Sequence, residues 1–157
     1  MRGSKWKAIA LCATLFSITR GDNDFPLEKA RSSKWAAILR GLSHVESRGN
    51  PRAESWLGAR HGRGLYQVSE IVLEHSRWRH WYSDAWRGLT PEDLFSPSIC
   101  GMIAVDQLEY LAAYYGDKAE PMPWILSAYW QGARATDEKG IAWGYVREVL
   151  DATNETR

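Results

Sequence analysis

Glu46 is the acidic residue best placed to move a proton. It follows apolar residues at Trp35, Ile38, Leu39, Leu42 and Val45, and their i, i+3, i+4, i+7, i+10 spacing marks one buried helical face. Gly49, Asn50 and Pro51 stop that helix, so Glu46 and Ser47 stand in its last turn, beside the stripe. A carboxylate there meets both apolar surface and the negative end of the helix dipole, and each disfavours its charge. Moving a glutamate from ~4.3 toward ~6 requires about 2 kcal/mol against the charged form. A carboxyl so adjusted can release a proton near neutral pH, as a general acid must. The plain alternative is a solvated residue at a helix end.

The other reactive residue types form weaker patterns. His44, His61, His75 and His80 do not fall at metal-ligand spacing with the acids or with Cys12 and Cys100, so no metal or other cofactor is expected. Cys100 lies in an apolar helical pattern with no flanking base and reads as a small buried hydrophobe. Gly62-Arg63-Gly64 lacks the spacing and the Lys-Ser/Thr of a phosphate loop. Trp78, Trp81, Tyr82 and Trp86 alternate with Arg77, Arg79, His80 and Arg87, a mixture able to stack on bases. The formal charge of only +1 argues against nucleic acid and for core packing plus groove lining.

The elements that must hold Glu46 are mostly helical. Residues 52–64 read as a loop or short hairpin, and Val68, Ile71 and Val72 as the start of a short helix. Thr90-Pro91 reads as a helix start, and another helix spans about Ser98 to Tyr115, ended by Gly116. Further helices are expected over Pro123 to Ala135 and over Ile141 to Leu150, the last through Ile141, Tyr145, Val146 and Val149. The sum is a mainly α domain with a small hairpin or sheet over residues 32–151, preceded by a linker at 20–31 and followed by a tail at 152–157.

With 157 residues the chain holds one domain, large enough for a core without disulfide staples. Residues 1–19 combine a basic start, Arg2, Lys5 and Lys7, with an uncharged apolar run from Ala8 to Ile18. That is the layout of a secretory signal, too short for a membrane span, although a buried N-terminal helix is the alternative. Its removal would leave seventeen basic residues against nineteen acidic, a net charge of −2. Nine tryptophans stand against three phenylalanines, and Trp35, in the apolar stripe, is assigned to the core.

Five segments share an order that points further. They are Glu46-Ser47; Asn50-Pro51-x-Ala53-x-Ser55-x-x-Gly58-Ala59; Gly64-Leu65-Tyr66-Gln67; Asp93-Leu94-Phe95-Ser96-Pro97; and Ala128-Tyr129-Trp130-Gln131-Gly132. In this order they resemble the soluble lytic transglycosylase domain of the lysozyme-like superfamily, over residues 33–151. The resemblance implies an α+β lysozyme-like fold with the small sheet beside a catalytic cleft. It implies cleavage of the MurNAc–GlcNAc β-1,4 bond of peptidoglycan with a 1,6-anhydromuramyl product. Glu46 matches the family's single acid, which then acts as base, Ser47 the substrate-binding residue that orients the region of C1 and the neighbouring N-acetyl group, and Gln67 and Tyr129 residues lining the cleft. Tyr66 and Trp130 fall in the same blocks as expected substrate contacts. The implied partners are glycan strands in the periplasm or cell envelope, together with a secretion, conjugation, pilus or phage machine; a phage-encoded copy would be virion-associated.

The sequence also departs from that pattern. Tyr66 replaces a methionine, Trp130 and Cys100 replace asparagines, Ala104 a glycine and Glu70 a proline, while Arg60-His61-Gly62-Arg63 fills a place of about one residue. The basic insert reads either as a solvated hairpin tip or as a contact for carboxylates on peptide stems. Two rival functions remain open. A hydrolase on the same fold needs a second carboxylate, for which Glu54, Glu70 and Asp84 are candidates. A non-catalytic wall-binding module is favoured by Trp130 in the asparagine position.

Overall fold

The computed structural model describes residues 35–57 and 60–155. The expected secretory segment and the whole of the expected linker lie outside them. Among the described residues there are seven α-helices and one three-stranded sheet. In chain order they are α1 (Ala36–Ser47), β1 (Glu54–Leu57), β2 (Arg60–Arg63), β3 (Val68–Ser69), α2 (Glu70–Arg79) and α3 (Asp84–Arg87). A 3-10 turn at Pro91–Phe95 leads into α4 (Pro97–Tyr114), α5 (Pro121–Gln131), α6 (Ala133–Lys139) and α7 (Trp143–Glu155). None of the described helices is long and apolar enough to cross a membrane.

Helix α4 is the centre of the core. Cys100, Gly101, Met102, Ile103 and Ala104 are buried in succession, which happens only when a helix is covered on more than one side. Leu108 and Leu111 continue the buried surface, and Ile125 and Leu126 from α5 and Val146 and Val149 from α7 belong to the same core. Each fully buried leucine contributes about 2 kcal/mol by removal from water. Trp35 belongs to this core at 3% exposure, and its indole N–H donates to Glu109.

Helix α1 lies along α7, and Gly41 permits the approach: a Cβ there would overlap Thr153 Oγ1 and the Val149 carbonyl. The helix ends where Arg48 turns left-handed at φ 53°, letting the Arg48 and Gly49 amides return to the carbonyls of His44 and Ser43.

Several elements differ from the sequence reading. The strands Glu54–Leu57 and Arg60–Arg63 pair as the short hairpin offered for 52–64, but β3 extends them into an antiparallel sheet, so Val68 belongs to a strand and the following helix starts at Glu70. Ser69 caps that helix by accepting from the Val72 amide. The single helix expected from Pro123 to Ala135 is two, broken at Gly132, whose φ of 88° and ψ of 151° belong to glycine territory. The last helix runs on to Glu155 with Ala152 buried, so residues 152–155 belong to the domain rather than to a tail.

Candidate active site

Glu46 sits in the last full turn of α1, facing α7. The Tyr145 hydroxyl donates to its Oε1, and Tyr145 is the one side chain that donates to this carboxyl among the described residues. Burial pushes the Glu46 carboxyl from 4.5 up to about 7, against the opposing hydrogen bond from Tyr145. That corresponds to about 3 kcal/mol of preference for the protonated form. The apolar surroundings expected from the stripe are therefore present, and burial is the dominant cause. Burial also holds the Tyr145 phenol far above its ordinary value, with Glu46 adding to the effect, so its hydroxyl stays a donor.

A short turn, Gly64-Leu65-Tyr66-Gln67, runs past the end of α1 and is held from three helices. Ser47 donates to the Leu65 carbonyl (2.8 Å) as well as to the Ser43 carbonyl (3.0 Å), which ties α1 to the turn. Tyr129, in the last turn of α5, donates to the Tyr66 carbonyl (2.9 Å). On α4 the Cys100 thiol faces the Arg63 carbonyl at 3.7 Å, and burial pushes it up to about 11 despite amide bonds from Tyr66, Val68 and Leu65. It is thus the buried small residue expected from the sequence. Gly64 must be glycine here: its φ is 76°, and a Cβ would overlap the Leu94 carbonyl.

The expected substrate contacts divide. Trp130 is half exposed and stacks on Tyr145, with centroids 5.5 Å apart and planes at 16°. Tyr129 lies close enough to Glu46 for its charge to act on the phenol, whose value burial first and Glu46 second raise well above the usual range. Tyr66 is only 5% exposed and packs against Gly101, so its ring fills the core rather than offering a face to a sugar. The Gln67 amide is consumed internally: its nitrogen donates to the carbonyls of Ala53 (3.1 Å) and Gly64 (3.0 Å), and its oxygen accepts from Ser55 (2.6 Å). Gln67 braces the sheet against the turn, at a φ of 49°.

Tyr145 is the site residue that the sequence reading missed. Its place in the apolar pattern of the last helix accounts for its burial, but its hydroxyl meets a residue 99 positions away. No local spacing signals such a contact.

The candidate second carboxylates are all engaged elsewhere. Glu70 pairs with Arg63, Glu54 lies 3.4 Å from His61 and 4.0 Å from Arg63, and Asp84 pairs with Arg87. No carboxylate contributes to the raised value of Glu46. The basic insert is the second strand of the sheet rather than a tip. His61 is buried beneath Trp56, and Arg63 is largely covered and already paired, which leaves its guanidinium little room for a peptide stem. Among the described residues no three His, Cys, Asp or Glu side chains gather to hold a metal ion.

No family model matches the chain, and no curated protein or solved structure matches it either.

Proposed function

We propose that the chain is a lysozyme-like lytic transglycosylase acting on the glycan strands of peptidoglycan in the cell envelope. The observation that carries this reading is a solitary buried carboxyl, Glu46, poised at about 7 and oriented by one tyrosine, with a half-exposed tryptophan beside it. A group poised near neutral pH can both give and take a proton, as a reaction run by a single residue requires. Protonated Glu46 gives its proton to the oxygen bridging MurNAc and GlcNAc, and the bond from that oxygen to C1 breaks. The resulting carboxylate takes the proton from the muramyl C6 hydroxyl as its oxygen bonds to C1. The acid is regenerated, the 1,6-anhydro ring closes and no water is consumed.

No carboxylate adds to the raised value of Glu46, and Glu54, Glu70 and Asp84 are engaged elsewhere, which favours this course over hydrolysis, where another group must place a water. Trp130 offers the flat apolar surface on which pyranose rings pack. The test is digestion of purified sacculi by wild type and Glu46→Gln, with the released muropeptides weighed. Anhydro ends, one water lighter than reducing ends, are expected from the wild type and none from the variant. Reducing ends would identify a hydrolase, and wall binding without release a non-catalytic module.

A further inference from the structure

Three side chains from three helices form a column running inward. Trp130, at the end of α5, is 49% exposed; Tyr145, on α7, is 9% exposed; and Glu46, on α1, receives the Tyr145 hydroxyl. The planes of Trp130 and Tyr145 are within 16° of parallel at a centroid separation of 5.5 Å, an offset stack in which one ring covers the other. A tyrosine ring left uncovered could rotate about its side-chain bonds and admit water to its hydroxyl. Here the indole occupies that side.

We propose that Trp130 is a positioning residue for Glu46: by lying on the ring of Tyr145 it fixes the hydroxyl that Tyr145 gives to the acid and keeps water from that hydrogen bond. The role in cleavage rests on the function proposed above, whereas the shielding itself does not. Trp130 thus has a second task beside any contact with sugar, and the tryptophan in place of the resembled family's asparagine becomes part of how this acid is held.

The groups facing Glu46 are few, which makes the effect readable. Tyr145 faces it from α7 and Tyr129 from α5, while Glu148, further along α7, acts on Tyr145. Both phenols remain protonated across the working range, so the titration belongs to Glu46. Removing the indole has two opposed consequences. Water at the carboxyl lowers its pKa, and a loosened tyrosine bond raises it. Burial is the larger of the two influences on Glu46, so the net shift is downward.

The experiment is a carbon-13 NMR titration of the Glu46 carboxyl in the full chain, run for wild type, Trp130→Asn, Trp130→Ala and Trp130→Phe, with folding checked by circular dichroism. The wild-type midpoint is expected near 7. In both truncations it falls by about one pH unit, and Phe, which keeps a flat ring, restores it. At pH 7 such a shift leaves about five-fold less protonated acid, and the alkaline limb of the cleavage profile moves down with it. An unchanged midpoint in either folded truncation overturns the proposal, as does a Phe variant that falls as far as Asn. The titration needs no substrate. If sacculi resist the wild type while the midpoints move as expected, the functional reading fails and the shielding stands; active wild type with unmoved midpoints gives the reverse.

Discussion

Glu46 and Asp106 are both carboxylates that the fold draws largely out of water, one at the end of α1 and the other within α4. Burial raises the pKa of each, yet they finish in opposite states. Asp106 gains more than it loses: His80 donates to Oδ1 at 2.7 Å, while Ser76 (2.6 Å) and Arg79 (3.0 Å from Nε) donate to Oδ2. With the charge of Arg79 added, these bonds outweigh burial and hold its pKa below the ordinary aspartate value. Glu46 has one neutral donor and no cation, so burial prevails and it stands at about 7. Donors and cations thus make a buried carboxylate a structural anion, which here ties α2 to α4. Withholding them makes it an acid. The count and charge of its partners, more than its depth, set the role.

The largest expected effect comes from removing the acid. Glu46→Gln should cut release of anhydromuropeptides from sacculi by about a thousandfold or more. The same substitution should stabilise the protein in alkali. Because the folded pKa lies above the unfolded one, the favourable contribution of Glu46 is complete below about 4.5 and is lost as pH rises through about 7. Thermal unfolding at pH 8 should therefore show the variant more stable, by at most about 3 kcal/mol. An equal or lower melting temperature there would deny that Glu46 is buried against its charge.

Asp106→Asn should act in the opposite direction, costing about 3 kcal/mol at pH 7 because Arg79 loses its buried counter-charge. Its lowered pKa means that the contribution is present above the unfolded value and disappears as pH falls through the folded one. Denaturant unfolding at pH 7 and again in strong acid should show the gap between wild type and variant closing. A gap that stays constant would mean that packing, not charge, holds this region.

Tyr145→Phe sharpens the contrast from the side of the acid. Losing its one donor, Glu46 should titrate above 7, and the alkaline limb of the cleavage profile should move up while the maximal rate falls about tenfold through lost orientation. A limb that moves down would show that the tyrosine serves mainly to exclude water. The smallest effect is expected from Ser47→Ala, which strands the Leu65 carbonyl and should cost about 1 kcal/mol in unfolding free energy. Its titration of Glu46 should change little, because Ser47 holds the turn and does not touch the carboxyl.

How far the sequence could be read depends on the range of the interaction concerned. The stripe from Trp35 to Val45 and the stop at Gly49 are local, and helix α1 forms where they indicate, with Trp35 in the core. The break at Gly132 is not legible in the sequence, because a glycine at φ 88° looks there like any glycine inside an apolar run. Gln67 and Tyr66 were expected to face a substrate, since a motif names residues without saying which way they point. Tyr66 packs into the core against Gly101, and the Gln67 amide bonds back to Ser55, Ala53 and Gly64.

By itself the sequence determined that the chain makes a mainly helical domain, that Glu46 ends a helix beside its apolar stripe, and that Trp35 is buried. Those facts follow from periodicity and stop signals within about a dozen residues. Only the tertiary structure decided that Tyr145 reaches Glu46 across 99 positions and that Trp130 lies over Tyr145. It also decided that Asp106 collects three donors while Glu46 keeps one. The physical reason is that a pKa is set by what stands within a few ångströms in space. At this site that depends on how closely α7 lies against α1, an approach that Gly41 allows and no local pattern encodes.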